Sequence, residues 1–406
     1  MKETILFIAY SEWSDWRGDN DLYLSFAGNH LVVFVEVMPR YDCFTIKGLK
    51  SFIERFFIIQ PFRINDNLIV FPSVSMLPFA LPKLSKIWRK KIAELSIKLS
   101  KKLQILFIKK QLKALGIQPT ILIVSEPFDF YLVGEFCEKI SCYRVYDEIT
   151  NFYSNAFISD LIGDIEKSNI HRVNMVFASS KAQYENRKSI HPNVFLIPNA
   201  ANFTHFNKAS KDKLPRPTDL KDISSPIIGF VGTFDFRIDL KLIESVARSK
   251  PEWSIVVVGP IREYSMEDWR KGIRRLNKLE NIHFLGARDF KHLPDYMKYF
   301  DVCMIPFLVN DVTNTMYPCK LHEYLATGSP VVSTDLHELK PFQEIVPLAE
   351  SKNEFIKMIE EELQTDSPLR LKERINVALQ NSWSIRSEQI LRLIKKNQSD
   401  KLQGLK

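Results

Sequence analysis

A chain of 406 residues is too long for one ordinary hydrophobic core, so two domains are expected. With 45% apolar and 26% charged residues it is neither disordered nor fibrous, and no apolar run approaches the roughly 20 residues of a transmembrane helix. The net charge of +8 points to an anionic partner: nucleic acid, anionic lipid or a phosphorylated metabolite.

The opening "MKETILFIAYSEW" has too short an apolar core for a signal peptide and no small-residue cleavage site. It reads as a first strand of a cytoplasmic protein. Directly after it, "YSEWSDWRGDNDLY" holds Trp13, Trp16, Arg17 and Asp19. Two indoles beside polar groups suit stacking on a sugar ring, and equally a packing cluster at the lid of a cleft. The runs "HLVVFVEV", "NLIVFP", "TILIVS", "CYRVY", "MVFAS" and "NVFLIP" follow with helical patterns between them. They are continuous rather than alternating, as strands covered on both faces of a parallel sheet must be.

Among them lies the charge. From Lys83 to Lys113 eleven Lys or Arg stand against one acid, Glu94, which outweighs the net excess of the whole chain. Leu84, Trp88, Ile92, Leu95, Leu99, Leu103 and Leu106 fall on one stripe at helical spacing, and the other faces are lysine-rich. A basic amphipathic helix with a tryptophan reads as a membrane-surface element, touching through Trp88, Lys98, Lys101 and Lys102. The alternative is a core stripe with a solvated lysine face; the nearby "FIERFFIIQPF" favours the membrane. No pattern of a nucleic-acid-binding module is present, which removes that partner.

In "VYDEITNFY", Asp147 and Glu148 stand at a strand end, as turn or cap residues or as a catalytic base. His171, His191 and His205 read as structural or surface groups. Five cysteines without a CxxC pair, and without histidines at metal spacing, read as reduced thiols and no metal site.

The polar, proline-bearing stretch Asn207 to Pro226 reads as an interdomain linker. A second series follows, "PIIGFVG", "WSIVVVG", "NIHFLG", "DVCMIPF" and "SPVVST", with helices such as Asp239–Lys250 between. Two successive α/β units, each a doubly wound sheet, are expected. The tail "SWSIRSEQILRLIKK" reads as one more amphipathic helix.

Ligands of such sheets bind where strands end. Gly229 lies within its strand, and Gly232 and Thr233 just past it, where glycine lets a backbone approach a phosphate. Arg237 adds a charge in the same loop. Gly259, and then Gly286, Ala287 and Arg288, repeat the pattern. In "YPCKLHEYLATGSPVVST", Pro318 suits a first helical position, which puts Lys320 in the first turn. A cation there opposes the helix dipole, and a bound anion removes the conflict. Glu323, one turn on, offers acceptors to sugar hydroxyls.

The segments "PIIGFVGTFDFRIDLKLIESVARSKPEWSIVVVGP" and "PCKLHEYLATGSPVVST" resemble the donor-binding half of bacterial GT-B glycosyltransferases, as does "VFASSKAQYENRKSIHPNVFLIPNAANFTHF" from the first half. In outline the chain is similar to teichuronic-acid and xanthan-type transferases of cell-surface polysaccharide. The resemblance implies a GT-B fold, two Rossmann-like domains facing a cleft: 1–205 for the acceptor, with the basic helix at 83–113 inserted, a linker 206–226, a donor domain 227–380 and a helix 381–406 crossing back. It implies a UDP-sugar donor and no bound metal or other cofactor. Gly232 and Thr233 face the diphosphate, Lys320 neutralises it, Glu323 accepts from the ribose, Gly286–Arg288 lie beside the base, and Thr315 and Met316 complete the donor contacts. Many retaining relatives carry a glutamate eight residues before the one matching Glu323; here Thr315 stands there, which leans towards inversion with Asp147 as base and Glu148 as its fallback. The acceptor implied is lipid-linked or a growing glycan at the inner face of the cell membrane. A nucleotide-sugar 2-epimerase or an inactive binding subunit on the same fold are the alternatives.

Overall fold

The computed structural model describes residues 2–9, 12–13, 20–36, 60–73, 86–148, 150, 156–211 and 213–403. Trp16, Arg17, Asp19, Cys43, Leu84 and most of "FIERFFIIQPF" lie outside the described residues. The chain forms two compact units: Met1–Ile197 with Ser387–Lys406, and Pro198–Arg386.

The first unit is built on one sheet of β1 (Thr4–Ile8), β2 (Leu31–Val35), β3 (Phe62–Asn65), β4 (Leu68–Phe71), β5 (Ile121–Val124), β6 (Ile140–Val145), β7 (Met175–Ala178) and β8 (Val194–Leu196), in the order β3-β4-β2-β1-β5-β6-β7-β8. Every neighbouring pair is parallel except β3–β4, an antiparallel hairpin at the edge. Central strands such as β1 and β5 are buried on both faces, so their sequences are unbroken apolar runs. β3 escapes that signal because all four of its residues are exposed. Helices α1 (Asn20–Ala27), α2 (Lys86–Ala114), α3 (Ala156–Asn169) and α4 (Lys181–Lys188) complete this unit with most of the last helix of the chain.

Helix α2 corrects the sequence reading at Lys101 and shows which of its faces turns inward. It buries Ala93 and Ile97 against Leu161, Ile162 and Ile165 of α3, and Ile105, Ile108 and Leu112 against the sheet. Of the stripe named from the sequence, Trp88, Leu95, Leu99 and Leu106 are exposed, which sets aside the alternative of a core stripe. Lys101, expected at a membrane, is buried instead, where its Nζ donates to Asp129 at 2.7 Å and to Gln104 at 2.9 Å. Gln104 in turn donates to the Ser73 hydroxyl at 2.9 Å, which closes a buried polar chain. Burial raises the Asp129 pKa, and the adjacent Lys101 opposes that rise. Removing the cation alone leaves an uncompensated buried charge. Lys101→Met is therefore expected to cost about 3–5 kcal/mol in urea unfolding. Because the Asp129 pKa is raised in the folded state, the folded state holds its proton more tightly, so the variant recovers stability as pH falls towards 3.8. A loss under 1 kcal/mol, or one independent of pH, contradicts this.

The second unit carries the parallel sheet β11-β10-β9-β12-β13-β14, made of β9 (Ile227–Val231), β10 (Ser254–Val258), β11 (Ile282–Gly286), β12 (Val302–Ile305), β13 (Val331–Thr334) and β14 (Leu348–Ala349). Around it lie α5 (Phe203–Phe206), α6 (Lys208–Lys211), α7 (Leu240–Ser249), α8 (Glu267–Leu276), α9 (Leu293–Met297), α10 (Asp311–Asn314), α11 (Lys320–Thr327), α12 (Lys352–Thr365) and α13 (Pro368–Gln380). Residues 206–226 do not form a linker between units. Phe206, Leu220 and Ile223 belong to the core of the second unit, and Asn207 donates to the Ala326 carbonyl at 2.8 Å. The last helix, α14 (Trp383–Gln403), belongs to the second unit through Arg386 and to the first from Ser387. No helix of the described residues is long and apolar enough to cross a membrane.

Candidate functional site

The carboxyl ends of β9, β10 and β11 each finish in a glycine, and hydrogen bonds join them in a row. Gly232 donates its N–H to the Val258 carbonyl, and Gly259 to that of Gly286, both at 2.8 Å. Gly232 (φ 130°) and Gly259 (φ 147°) adopt backbone conformations that L side chains avoid. Space excludes a side chain as well. A Cβ on Gly259 would stand 2.0 Å from the Gly232 oxygen, and one on Gly232 would stand 2.1 Å from the Lys320 Nζ. The Gly232–Thr233 turn is thus the roof over one ammonium group.

Lys320 is the first residue of α11, two places closer to the helix start than its sequence setting implies, because Cys319 is the N-cap and Pro318 lies outside the helix. No side chain caps this helix start. Its Nζ sits 5.4 Å from the Phe230 ring centroid on β9. Tyr324, one turn later, accepts from the Val231 N–H at 2.9 Å and so ties α11 to the end of β9. The sequence reading missed this tyrosine; its i+4 spacing from Lys320 was the available signal. Lys320 keeps a strip of accessible surface, but desolvation lowers its pKa. The Glu323 charge opposes that effect, and the Arg237 charge adds to it. A desolvated ammonium at an uncapped helix start, under a glycine turn that allows close backbone approach, suits a phosphate-like anion.

Arg237 comes into the same neighbourhood, held by two bonds to Asp235 at 2.6 and 2.8 Å. Glu323 is half-buried one turn along α11. Thr315 closes α10 and spends its hydroxyl on the Val312 carbonyl at 2.9 Å, and Met316 is buried beside it. His322, also overlooked, accepts from or donates to the Tyr317 hydroxyl at 2.8 Å. Burial, helped by the Arg386 charge, lowers its pKa to about 3, so it stays neutral. The Tyr317 carbonyl accepts from Asn199 at 3.1 Å, which fastens the loop before Lys320. Beyond Gly286 and Ala287, Arg288 donates to Asp219 at 2.6 Å and to the Tyr296 hydroxyl at 2.9 Å, an anchored arginine rather than one reaching outward.

In the first unit Asp147 follows β6 and is half-buried. Its neighbour Glu148 is engaged by the buried Arg187, whose NH1 and NH2 reach it at 2.5 and 3.0 Å while Nε reaches Glu166 at 3.0 Å. Burial works against the Arg187 charge, but the bonds to Glu148 and the Glu166 charge outweigh it and raise its pKa. Glu148 is thereby a structural partner, and its role as fallback base is withdrawn. Trp13 packs edge-on against Phe34 at 5.2 Å, with its backbone N–H on Glu36 at 2.9 Å, which favours packing over sugar stacking. His191 and His205 each bond a backbone carbonyl, of Val173 and Phe290, and His171 is exposed. Among the described residues no group of three or more His, Cys, Asp or Glu is placed to hold a metal ion.

Residues 225–361 match the family described as glycosyl transferases group 1. That matched segment lies within the second unit. A Bacillus subtilis (strain 168) protein named as a teichuronic acid biosynthesis glycosyltransferase, TuaH, is 27% identical over 204 residues, 49% of this chain and 50% of that protein. The chain thus spans about half the length of the curated relative it matches. Solved structures share the fold over nearly the whole chain. The sucrose-phosphate synthase of Thermosynechococcus elongatus aligns at TM-score 0.62 and 14% identity, covering 97% of this chain and 99% of its own. The α,α-trehalose 6-phosphate synthase of Burkholderia multivorans aligns at 0.64 and 12%, covering 98% and 99%. HepE of Anabaena, in complex with UDP-glucose, aligns at 0.58 and 14%, covering 97% and 99%. The fold is GT-B. Within it, the glycine row and Lys320 lie inside the matched group 1 segment, and Asp147 lies outside it.

Proposed function

We propose that this protein is a glycosyltransferase that moves a sugar, with inversion, from a UDP-sugar to a hydroxyl of a lipid-linked or growing polysaccharide at the inner face of the cell membrane. One observation carries the reading: the desolvated Lys320 ammonium under the Gly232 turn, at the uncapped start of α11. The group 1 match over the same segment and the nucleotide sugar held by HepE support the donor class.

In the reaction, the acceptor oxygen forms a bond to the anomeric carbon as the bond from that carbon to the diphosphate oxygen breaks. Asp147 takes the acceptor proton. The electron pair leaves on the diphosphate, where Lys320, the helix start and Arg237 meet the growing negative charge without a bound metal. Glu323 accepts from the ribose hydroxyls. Thr315, whose hydroxyl is already bonded to its own helix, leaves no carboxylate at the position retaining relatives fill, which supports inversion.

The test is a panel of nucleotide sugars followed by thermal melting and by NMR of the product. A UDP-sugar at 100 times its Kd is expected to stabilise the protein by about 2.7 kcal/mol, and the new linkage to have the opposite anomeric configuration to the donor. No stabilisation by any nucleotide sugar overturns the donor reading, and a retained configuration overturns inversion.

A further inference from the structure

Helix α2 carries two apolar stripes on opposite sides. The inner one, Ala93, Ile97, Ile105, Ile108 and Leu112, is buried in the first unit. The outer one, Trp88, Leu95, Leu99 and Leu106, stays 61%, 67%, 58% and 65% exposed. At 1.5 Å per residue the outer stripe runs about 27 Å along one side of the helix. Its spacing keeps all four residues within a narrow sector, so they present one line rather than scattered exposed leucines. Lysines border that line: Lys91, Lys98, Lys102, Lys109 and Lys110 are all exposed. The one acid of the helix, Glu94, is half-buried. Lys98, Lys102 and Lys110 meet no acid among the described residues.

We infer that this outer face of α2 docks on an anionic lipid bilayer, its leucines and Trp88 entering the headgroup boundary and its lysines meeting lipid phosphates. An apolar line flanked by lysines, of which Lys109 is paired with Glu135 at 2.9 Å, fits a surface that is greasy within and negative outside. A second copy of this face would bring lysines against lysines, which argues against self-association. The glycosyl-transfer reading is needed only for the consequence, that the enzyme works where lipid-linked acceptors lie.

The test is co-sedimentation of the full chain with vesicles of phosphatidylglycerol and phosphatidylcholine, against vesicles of phosphatidylcholine alone. The parent should bind the anionic vesicles and largely lose that binding in high salt. Lys98→Glu with Lys102→Glu, and separately Leu95→Ser with Leu99→Ser and Leu106→Ser, should each weaken binding at least about tenfold. Both variants should keep the parent melting temperature and its rise with UDP, so that failure of docking is read apart from failure of the donor site. Parent-like vesicle binding by the leucine variant overturns the inference, as does a parent that ignores anionic vesicles. A lower melting temperature in the leucine variant assigns the stripe to the chain's own packing and overturns it too. So does a parental dimer, seen in sedimentation velocity, that the leucine variant loses.

Discussion

Replacing Lys320 with methionine is expected to lower kcat/KM about 10²–10³-fold, the usual effect of deleting one group that stabilises charge in a transition state. The same substitution should leave the ligand-free protein at least as stable as the parent. The reason lies in the direction of the pKa shift. Burial disfavours the ammonium, so its folded pKa is below the ordinary 10.5 of the unfolded chain. Between those two values the unfolded chain binds more protons, and the stability of the ligand-free parent rises with pH across that window. Methionine keeps the volume, keeps the contact with Phe230 and removes the charge, so the rise disappears. Phe230 and Gly232 crowd a cation in a place it would not choose, on a helix that Tyr324 ties to β9, and a bound diphosphate would relieve that conflict. Measured melting curves from neutral to alkaline pH check the first half, and steady-state kinetics the second. A variant that loses both activity and stability would mean Lys320 is a structural cation.

Asp147→Asn should lower kcat about 10²–10⁴-fold, the range for loss of a general base, with the donor KM unchanged. Asparagine keeps the shape and cannot take the acceptor proton. UDP should still raise the melting temperature of this variant by the parental amount, because Lys320, the proposed diphosphate contact, lies in the second unit. The acidic limb of the pH–rate profile should vanish with the carboxylate. Glu148→Gln provides the contrast: it weakens the bond to the buried Arg187, so stability falls while kcat stays near the parent's. Activity of Asp147→Asn within threefold of the parent would assign the base elsewhere.

Much of this was open to reading without coordinates, for reasons tied to particular residues. Ile5 to Ile8 and Ile121 to Val124 are buried on both faces, so burial imposes a continuous apolar run that no loop has reason to carry. Lys320 could be found because a cation at a helix start is electrostatically unfavourable on its own terms. What stayed hidden depends on partners distant along the chain. Periodicity marks the apolar stripes of α2 but does not say which one faces inward; the residues that decide, Leu161, Ile162 and Ile165, come far later. The fate of Lys101 is set by Asp129, and that of Glu148 by Arg187. The polar composition of 206–226 masks Leu220 and Ile223, two isolated apolar residues that the second unit buries. The β3 edge strand is held by backbone pairing, so its side chains were free to look like a loop.

If the Lys320 ammonium holds a nucleoside diphosphate, the protein must bind UDP through that one charge. Isothermal titration of UDP into the parent and into Lys320→Met tests it with no acceptor present. Saturable binding by the parent at one site per chain is expected, with affinity at least about tenfold weaker in the variant, the loss of one charge-assisted contact. Equal affinity in the two proteins, or no binding by the parent, would contradict it.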